Sequence, residues 1–179
     1  MEKILIAQAV GIIAVILWTL SFQIKSNTRL FLVQTIANLL FCVQYILLGG
    51  YAGCVGLLLC SFRNVLIVNR DKWKWAGSYW WIVVIAVIDG ICIYATWTKP
   101  TDLLAWIACV GGSLTYWTNN ARTIRLGNLF CAAPSWIIYD ISYRAWPSAV
   151  SETIAIISVI ISIIRFGWKN LGRSEGEFK

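Results

Sequence analysis

Apolar residues along this chain gather into seven runs, at residues 4–22, 30–48, 53–68, 80–97, 103–117, 126–141 and 149–164, arranged as three, one and three. An α-helix rises about 1.5 Å per residue and bilayer hydrocarbon is about 30 Å thick, so roughly 20 residues cross it. Each run is therefore predicted to be a transmembrane helix, the shorter ones borrowing turns from their flanks. Those flanks carry rings suited to a membrane interface: Trp80, Trp81, Trp97, Trp106, Tyr116, Trp117, Tyr143 and Trp146. The fold class that follows is an all-α integral membrane protein of seven helices.

Polar positions inside the runs recur at an offset of 94 residues, which lays Leu20-Ser21-Phe22 on Leu114-Thr115-Tyr116, Tyr45 on Tyr139, and the basic turn Lys25 to Arg29 beside Asn119 to Arg122. Three helices plus one linker put an even number of crossings between the two starts, so both halves insert the same way up. They are predicted to be parallel triple-helix repeats. The domains are then a first bundle at 1–70, an inverting linker helix at 71–100, a second bundle at 101–168 and a tail at 169–179.

With 59% apolar and 13% charged residues, little material remains for a separate soluble domain. The first run has a thinly charged start and no small-residue cleavage site after it, so it is read as a helix rather than a removed signal. Basic residues fix the orientation. With the N-terminus outside, only Lys3, Lys99 and Arg144 lie outside; Lys25, Arg29, Arg63, Arg70, Lys72, Lys74, Arg122, Arg125, Arg165, Lys169, Arg173 and Lys179 lie inside. The positive-inside rule thus predicts an outer N-terminus and a cytoplasmic tail. The net charge of +7 is accounted for by topology and anionic lipid, with no nucleic-acid partner.

Six cysteines, Cys42, Cys54, Cys60, Cys92, Cys109 and Cys131, lie in or beside apolar runs without CxxC spacing and are expected as packed thiols. The absence of histidine removes the commonest metal ligand and the Ser-His and Cys-His arrangements. Neither metal nor cofactor is expected, and an enzyme is disfavoured.

The stretch LSFQIKSNTRLFLVQTIANLLFCVQYILLGGYAG from Leu20 to Gly53, followed by Arg63 and the second half, resembles the Imp-YgjV family of bacterial inner-membrane proteins. The resemblance covers nearly the whole chain. It implies a multi-pass protein of the bacterial inner membrane, grouped with the SWEET, SemiSWEET, PQ-loop and PnuC-like transporters; it implies no ligand. SWEET transporters place amide or hydroxyl side chains of each bundle's third helix in a central cavity, and the resemblance carries this to Asn64 and Ser158. One departure concerns the Pro-Gln hinge usual in the first helix of each bundle. Phe22-Gln23 and Tyr116-Trp117 stand there instead, and the prolines are Pro100, Pro134 and Pro147. Pro134 is expected to bend helix six alone, with Gly49-Gly50 and Gly111-Gly112 as other flexible points.

Polar residues at membrane depth need a reason, since an acidic side chain near mid-helix costs about 2.5–3.5 kcal/mol on insertion scales. Asp89, in the middle of helix four, is a candidate ion-coupling site, or a docking group paired with another helix or with Arg63. Arg63 lies near enough to the cytoplasmic end to snorkel. Gln34, Asn38, Phe41 and Tyr45 share one face of helix two, matched 94 residues on by Asn128, Ala132, Ser135 and Tyr139. An amide and an aromatic on one face suit a small polar or ring-bearing solute, and amides also glue helices together. The candidate solute contacts are Asn38, Tyr45, Asn64, Asn128, Tyr139 and Ser158. Asp140 is expected at a solvated boundary, and Glu152 either guards an outer vestibule or pairs with Arg144.

These features predict a small-solute transporter working by alternating access between two bundles, with facilitated diffusion preferred to ion coupling. The alternative is a non-transporting subunit or scaffold. Membrane lipid and a small solute are the expected partners, and self-association stays open. A hydrolase using Asp89 and Glu152 lacks a nucleophile and base pair, and helix seven has no lysine for a Schiff base.

Overall fold

The computed structural model describes residues 2–21, 27–70, 72–118 and 120–166. The pair Phe22-Gln23, Lys25, Asn119 and the tail bearing Lys169, Arg173 and Lys179 lie outside the described residues. The helices are α1 (Glu2–Ser21), α2 (Asn27–Leu48), α3 (Tyr51–Asn69), α4 (Trp80–Ala95), α5 (Asp102–Trp117), α6 (Ala121–Gly127), α7 (Ala133–Tyr143) and α8 (Trp146–Phe166). A π-helical turn at Asn128–Ala132 joins α6 to α7, so one helical rod corresponds to each of the seven apolar runs. Among the described residues three stretches, Glu2–Ser21, Tyr51–Asn69 and Trp146–Ile164, are long and apolar enough to cross a membrane; Leu32–Leu48 and Trp80–Ala95 are shorter apolar helices.

The rods are packed inside out relative to a water-soluble protein. On α3 the buried side carries Gly53, Cys54, Gly56, Cys60, Ser61, Arg63 and Asn64, while Leu58, Phe62 and Val65 face outward. Hydrocarbon gives apolar side chains no incentive to hide, so small and polar residues take the helix contacts. Successive packing of α1 on α2, α2 on α3, α3 on α5, α5 on the α6–α7 rod, α7 on α8, and α8 back on α1 closes a ring of six rods. Outside the ring, α4 rests on α3 and α5 through a stripe of Ile85, Asp89 and Ile93.

Helix six answers its proline with a widened turn. Pro134 has no N–H, and in an α-helical path its ring would press on the carbonyl four residues earlier. The helix widens just before it, where the Ala133 N–H bonds to the Asn128 carbonyl, five residues back. One extra residue is thereby taken up, and the 94-residue offset does not persist beyond it. Thus α2 ends at Gly49 with φ 78° and the Gly50 N–H on the Tyr45 carbonyl at 2.8 Å, whereas α7 ends at Arg144 with φ 57° and the Ala145 N–H on the Asp140 carbonyl at 2.8 Å. These paired turns, like the starts of α3 at Tyr51 and α8 at Trp146, are 95 residues apart.

Candidate functional site

The ring encloses a chamber of about 80 Å³ to which all six rods contribute and α4 does not. Trp18 comes from α1, Gln34, Asn38, Phe41 and Tyr45 from α2, and Arg63 and Asn64 from α3. Tyr116 comes from α5, Asn128, Ala132 and Trp136 from the sixth rod, and Ser148 and Glu152 from α8. The whole polar stripe of α2 therefore faces the chamber, with the Asn38 amide donating to Ser61 Oγ at 3.0 Å. On the sixth rod the stripe is followed only as far as the widened turn. Asn128 and Ala132 line the chamber, but beyond the extra residue the lining position passes to Trp136, while Ser135 and Tyr139 are buried outside the chamber wall.

Arg63 does not snorkel. Its guanidinium is buried with its carbon 4.4 Å from the centre of the Tyr116 ring, and Nε and Nη2 donate to Asn64 Oδ1 at 3.4 and 3.2 Å. A face of Tyr116 and an amide oxygen give a cation inside a membrane what the distant interface would otherwise supply. Asn64 thus sits in the chamber, whereas Ser158 lies farther along the cavity system. Asp89 is fully buried against the α3 and α5 side, with neither carboxylate oxygen hydrogen-bonded, and the pairing with Arg63 is not made. All six cysteines are free, and the Cys60 and Cys109 sulfurs meet at 3.7 Å across α3 and α5. Among the described residues no three His, Cys, Asp or Glu side chains gather as a metal site.

At the end where α1 begins, hereafter the amino end, a bonded layer caps the chamber. Tyr45 Oη donates to Asp140 Oδ1 at 2.5 Å and contacts Ser148 Oγ at 3.0 Å. Asp140 is therefore fully buried, not solvated, because the left-handed turn at Arg144 folds the start of α8 over it. The Gly53 N–H, one of the free donors at the start of α3, donates to Tyr139 Oη at 2.7 Å. The Tyr45 and Tyr139 rings meet edge to face, 5.5 Å between centres. Tyr143 Oη donates to Asp102 Oδ1 at 2.6 Å, while Asp102 Oδ2 accepts the N–H groups of Thr98 and Lys99 at 2.8 and 3.0 Å. Beyond this layer lies a cleft of about 440 Å³, bordered by Ile4, Leu48, Lys99, Tyr143 and Arg144, that shares no lining residue with the chamber.

At the opposite, carboxyl end the chamber continues. A vestibule of about 540 Å³ reaches Thr19, Arg125, Ser158 and Ser162 and shares Trp18, Tyr116, Asn128, Ser151 and Glu152 with the chamber wall. Glu152 stands at this junction, away from the amino-end cleft that Arg144 borders, so it neither guards a vestibule at that end nor pairs with Arg144, whose carbonyl accepts from Gln8 Nε2 at 2.7 Å. Residues 5–170 match a family model, Imp-YgjV, described as a bacterial inner membrane protein. The chain belongs to that family. No curated protein and no solved structure matches it. Membership makes the inner membrane the medium of the bundle, and Ile12, Ile13 and Ile16 on α1 and Val87 and Ile91 on α4 are exposed on its outer surface.

Sequence reasoning missed Asp102, Ser148 and Trp136. For Asp102 and Ser148 the signal was the companion tyrosines, since a buried phenol needs an acceptor and Tyr143 and Tyr45 find them there; Trp136 had no such signal, its lining position being set by the widened turn.

Proposed function

We propose that this inner membrane protein carries a small polar or ring-bearing solute across the bilayer by alternating access, with no covalent step. Two parallel three-helix units, α1 to α3 and α5 to α8, move against each other around the chamber, and α4 inverts the chain between them. The amino end faces outward and the carboxyl end the cytoplasm, as the distribution of basic residues favours. Ligand sites in such repeat carriers lie at the interface of the repeats near the bilayer midplane.

One observation carries this reading: a polar chamber walled by every ring rod is continuous with the vestibule at one end and cut off from a cleft at the other. A packed scaffold has no use for amides turned into a void. Access alternates if the Tyr45, Tyr139 and Tyr143 layer opens as the Trp18, Tyr116 and Glu152 junction closes. Asn38, Tyr45, Asn64 and Asn128 meet the solute, Tyr139 acts in the closing layer, and Ser158 lies on the approach. Asp89 does not line the chamber, which favours facilitated diffusion over ion coupling.

Purified protein in liposomes tests this with labelled sugars, amino acids, nucleosides, vitamins and organic acids. Uptake of one class that saturates, runs down its own gradient and is lost in Asn64→Leu supports the carrier. Uptake that follows an imposed pH gradient and loses that dependence in Asp89→Asn replaces facilitated diffusion with coupling. No uptake of any class, with no ligand-induced stabilisation, turns the reading to a scaffold.

A further inference from the structure

The chamber wall contains one cation and one anion that do not neutralise each other directly, and the vestibule adds Arg125 on its far wall, outside the chamber lining. Arg63 is held by Tyr116 and Asn64, and its Nη1 turns toward Gly112 on the chamber wall. Glu152 has no hydrogen bond or ion pair among the described residues, although it lines both the chamber and the vestibule. Unpaired charge at membrane depth is costly, and its cost is recovered when a ligand supplies the counter-charge.

Charge arithmetic narrows the ligand. A simple anion satisfies Arg63 but is repelled by Glu152, a simple cation meets the reverse, and a neutral sugar leaves both charges without a full partner. A molecule carrying both charges answers both.

Resting on the carrier reading above, we propose that the cavity selects α-amino-acid-like zwitterions, the carboxylate against Arg63 and Asn64 and the ammonium against Glu152. With its oxygen engaged by Arg63, Asn64 has its amide nitrogen left to donate to the same carboxylate. The chamber alone, at about 80 Å³, is too small for such a solute. It binds across the junction, with its remaining side chain between Trp18 and the vestibule wall, where the volume is about 540 Å³.

The test follows thermal unfolding of the full chain in lipid nanodiscs by tryptophan fluorescence. L-Serine is compared with glycerate and ethanolamine, and L-phenylalanine with 3-phenylpropanoate and 2-phenylethylamine. At least one amino acid is expected to raise the midpoint, while its two analogues need at least about tenfold higher concentration for the same shift, since a group built to bind a missing partner is left unpaired. Glu152→Gln should remove the handicap of the analogue lacking the amine, bringing it within about twofold of the amino acid. If that variant does not fold, the wild-type comparison decides. Equal stabilisation by amino acid and analogues overturns the inference, as does a Glu152→Gln protein that still discriminates. Stabilisation by a sugar or nucleoside alone overturns it and leaves the carrier standing. No stabilisation by any class, together with no uptake, removes both.

Discussion

The two ends of the chamber are built from similar residue types and behave oppositely. At the amino end, aromatic rings are bonded at their hydroxyls, Tyr45 to Asp140 and Tyr139 to the Gly53 N–H, and the chamber stops there. At the carboxyl end, Trp18 and Tyr116 border a passage that stays open into the vestibule. Aromatic bulk therefore does not itself close a route. Closure comes from hydroxyls that find partners on the other half of the ring: Tyr45 lies on α2 and Asp140 on α7, and Gly53 lies on α3 and Tyr139 on α7. In the carrier proposed above, these are the bonds that would be exchanged as the two units move.

The contrast is broken most severely at Gly53. A Cβ there would lie 2.5 Å from Tyr139 Cε1, inside a layer where the Tyr139 ring has no free space to yield. Gly53→Ala should cost roughly 3 kcal/mol, from overpacking and a strained or lost N–H bond. Unfolding by SDS in mixed micelles measures it. In a Tyr139→Ala background the same substitution should cost less than about 1 kcal/mol, because its obstacle has gone; a full cost there means that Gly53 matters for some reason other than the closing layer.

Tyr45→Phe keeps the ring and removes only the hydroxyl that joins Asp140 and Ser148. The expected loss is about 1–3 kcal/mol, since it leaves a buried carboxylate oxygen without its donor. Tyr116→Phe makes the control at the open end and should cost under about 0.5 kcal/mol, the ring face that supports Arg63 being retained. Equal losses at the two sites in the same unfolding assay would contradict the idea that hydroxyl bonding distinguishes the ends.

Much of the helical order was legible because apolar run length and the 3.6-residue period act locally. The stripe from Gln34 to Tyr45 could be placed on one face from spacing alone, and it does face one cavity. Its counterpart was legible only as far as Ala132. Past the widened turn a sequence offset no longer names the facing residue, and Pro134, though visible, did not reveal that the helix would gain a residue. Asp140 and Arg63 were placed too close to water because distance to a helix end was taken as distance to solvent. Tertiary partners, the Tyr45 hydroxyl for one and the Tyr116 ring for the other, hold them inside. Asp89 was legible as buried, but the ring that leaves α4 outside the chamber is a property of helix packing with no local signature.

The finest form of the comparison concerns Asn64 and Ser158, matched at the 94-residue offset yet set at different depths along the cavity. Asn64 is buried in the chamber and bonded to Arg63; Ser158 is exposed at the vestibule, with its carbonyl accepting from Ser162 Oγ at 3.0 Å. If the solute's polar groups are held at the chamber and its side chain reaches no farther than the near part of the vestibule, Asn64→Leu should weaken solute binding at least about tenfold, a loss of about 1.4 kcal/mol. Ser158→Ala should change it less than about twofold and leave the unfolding midpoint within about 0.5 kcal/mol of wild type. Midpoint titration with whichever solute stabilises the wild type reads both. A Ser158→Ala effect as large as that of Asn64→Leu would move the binding position away from the junction, to the far part of the vestibule.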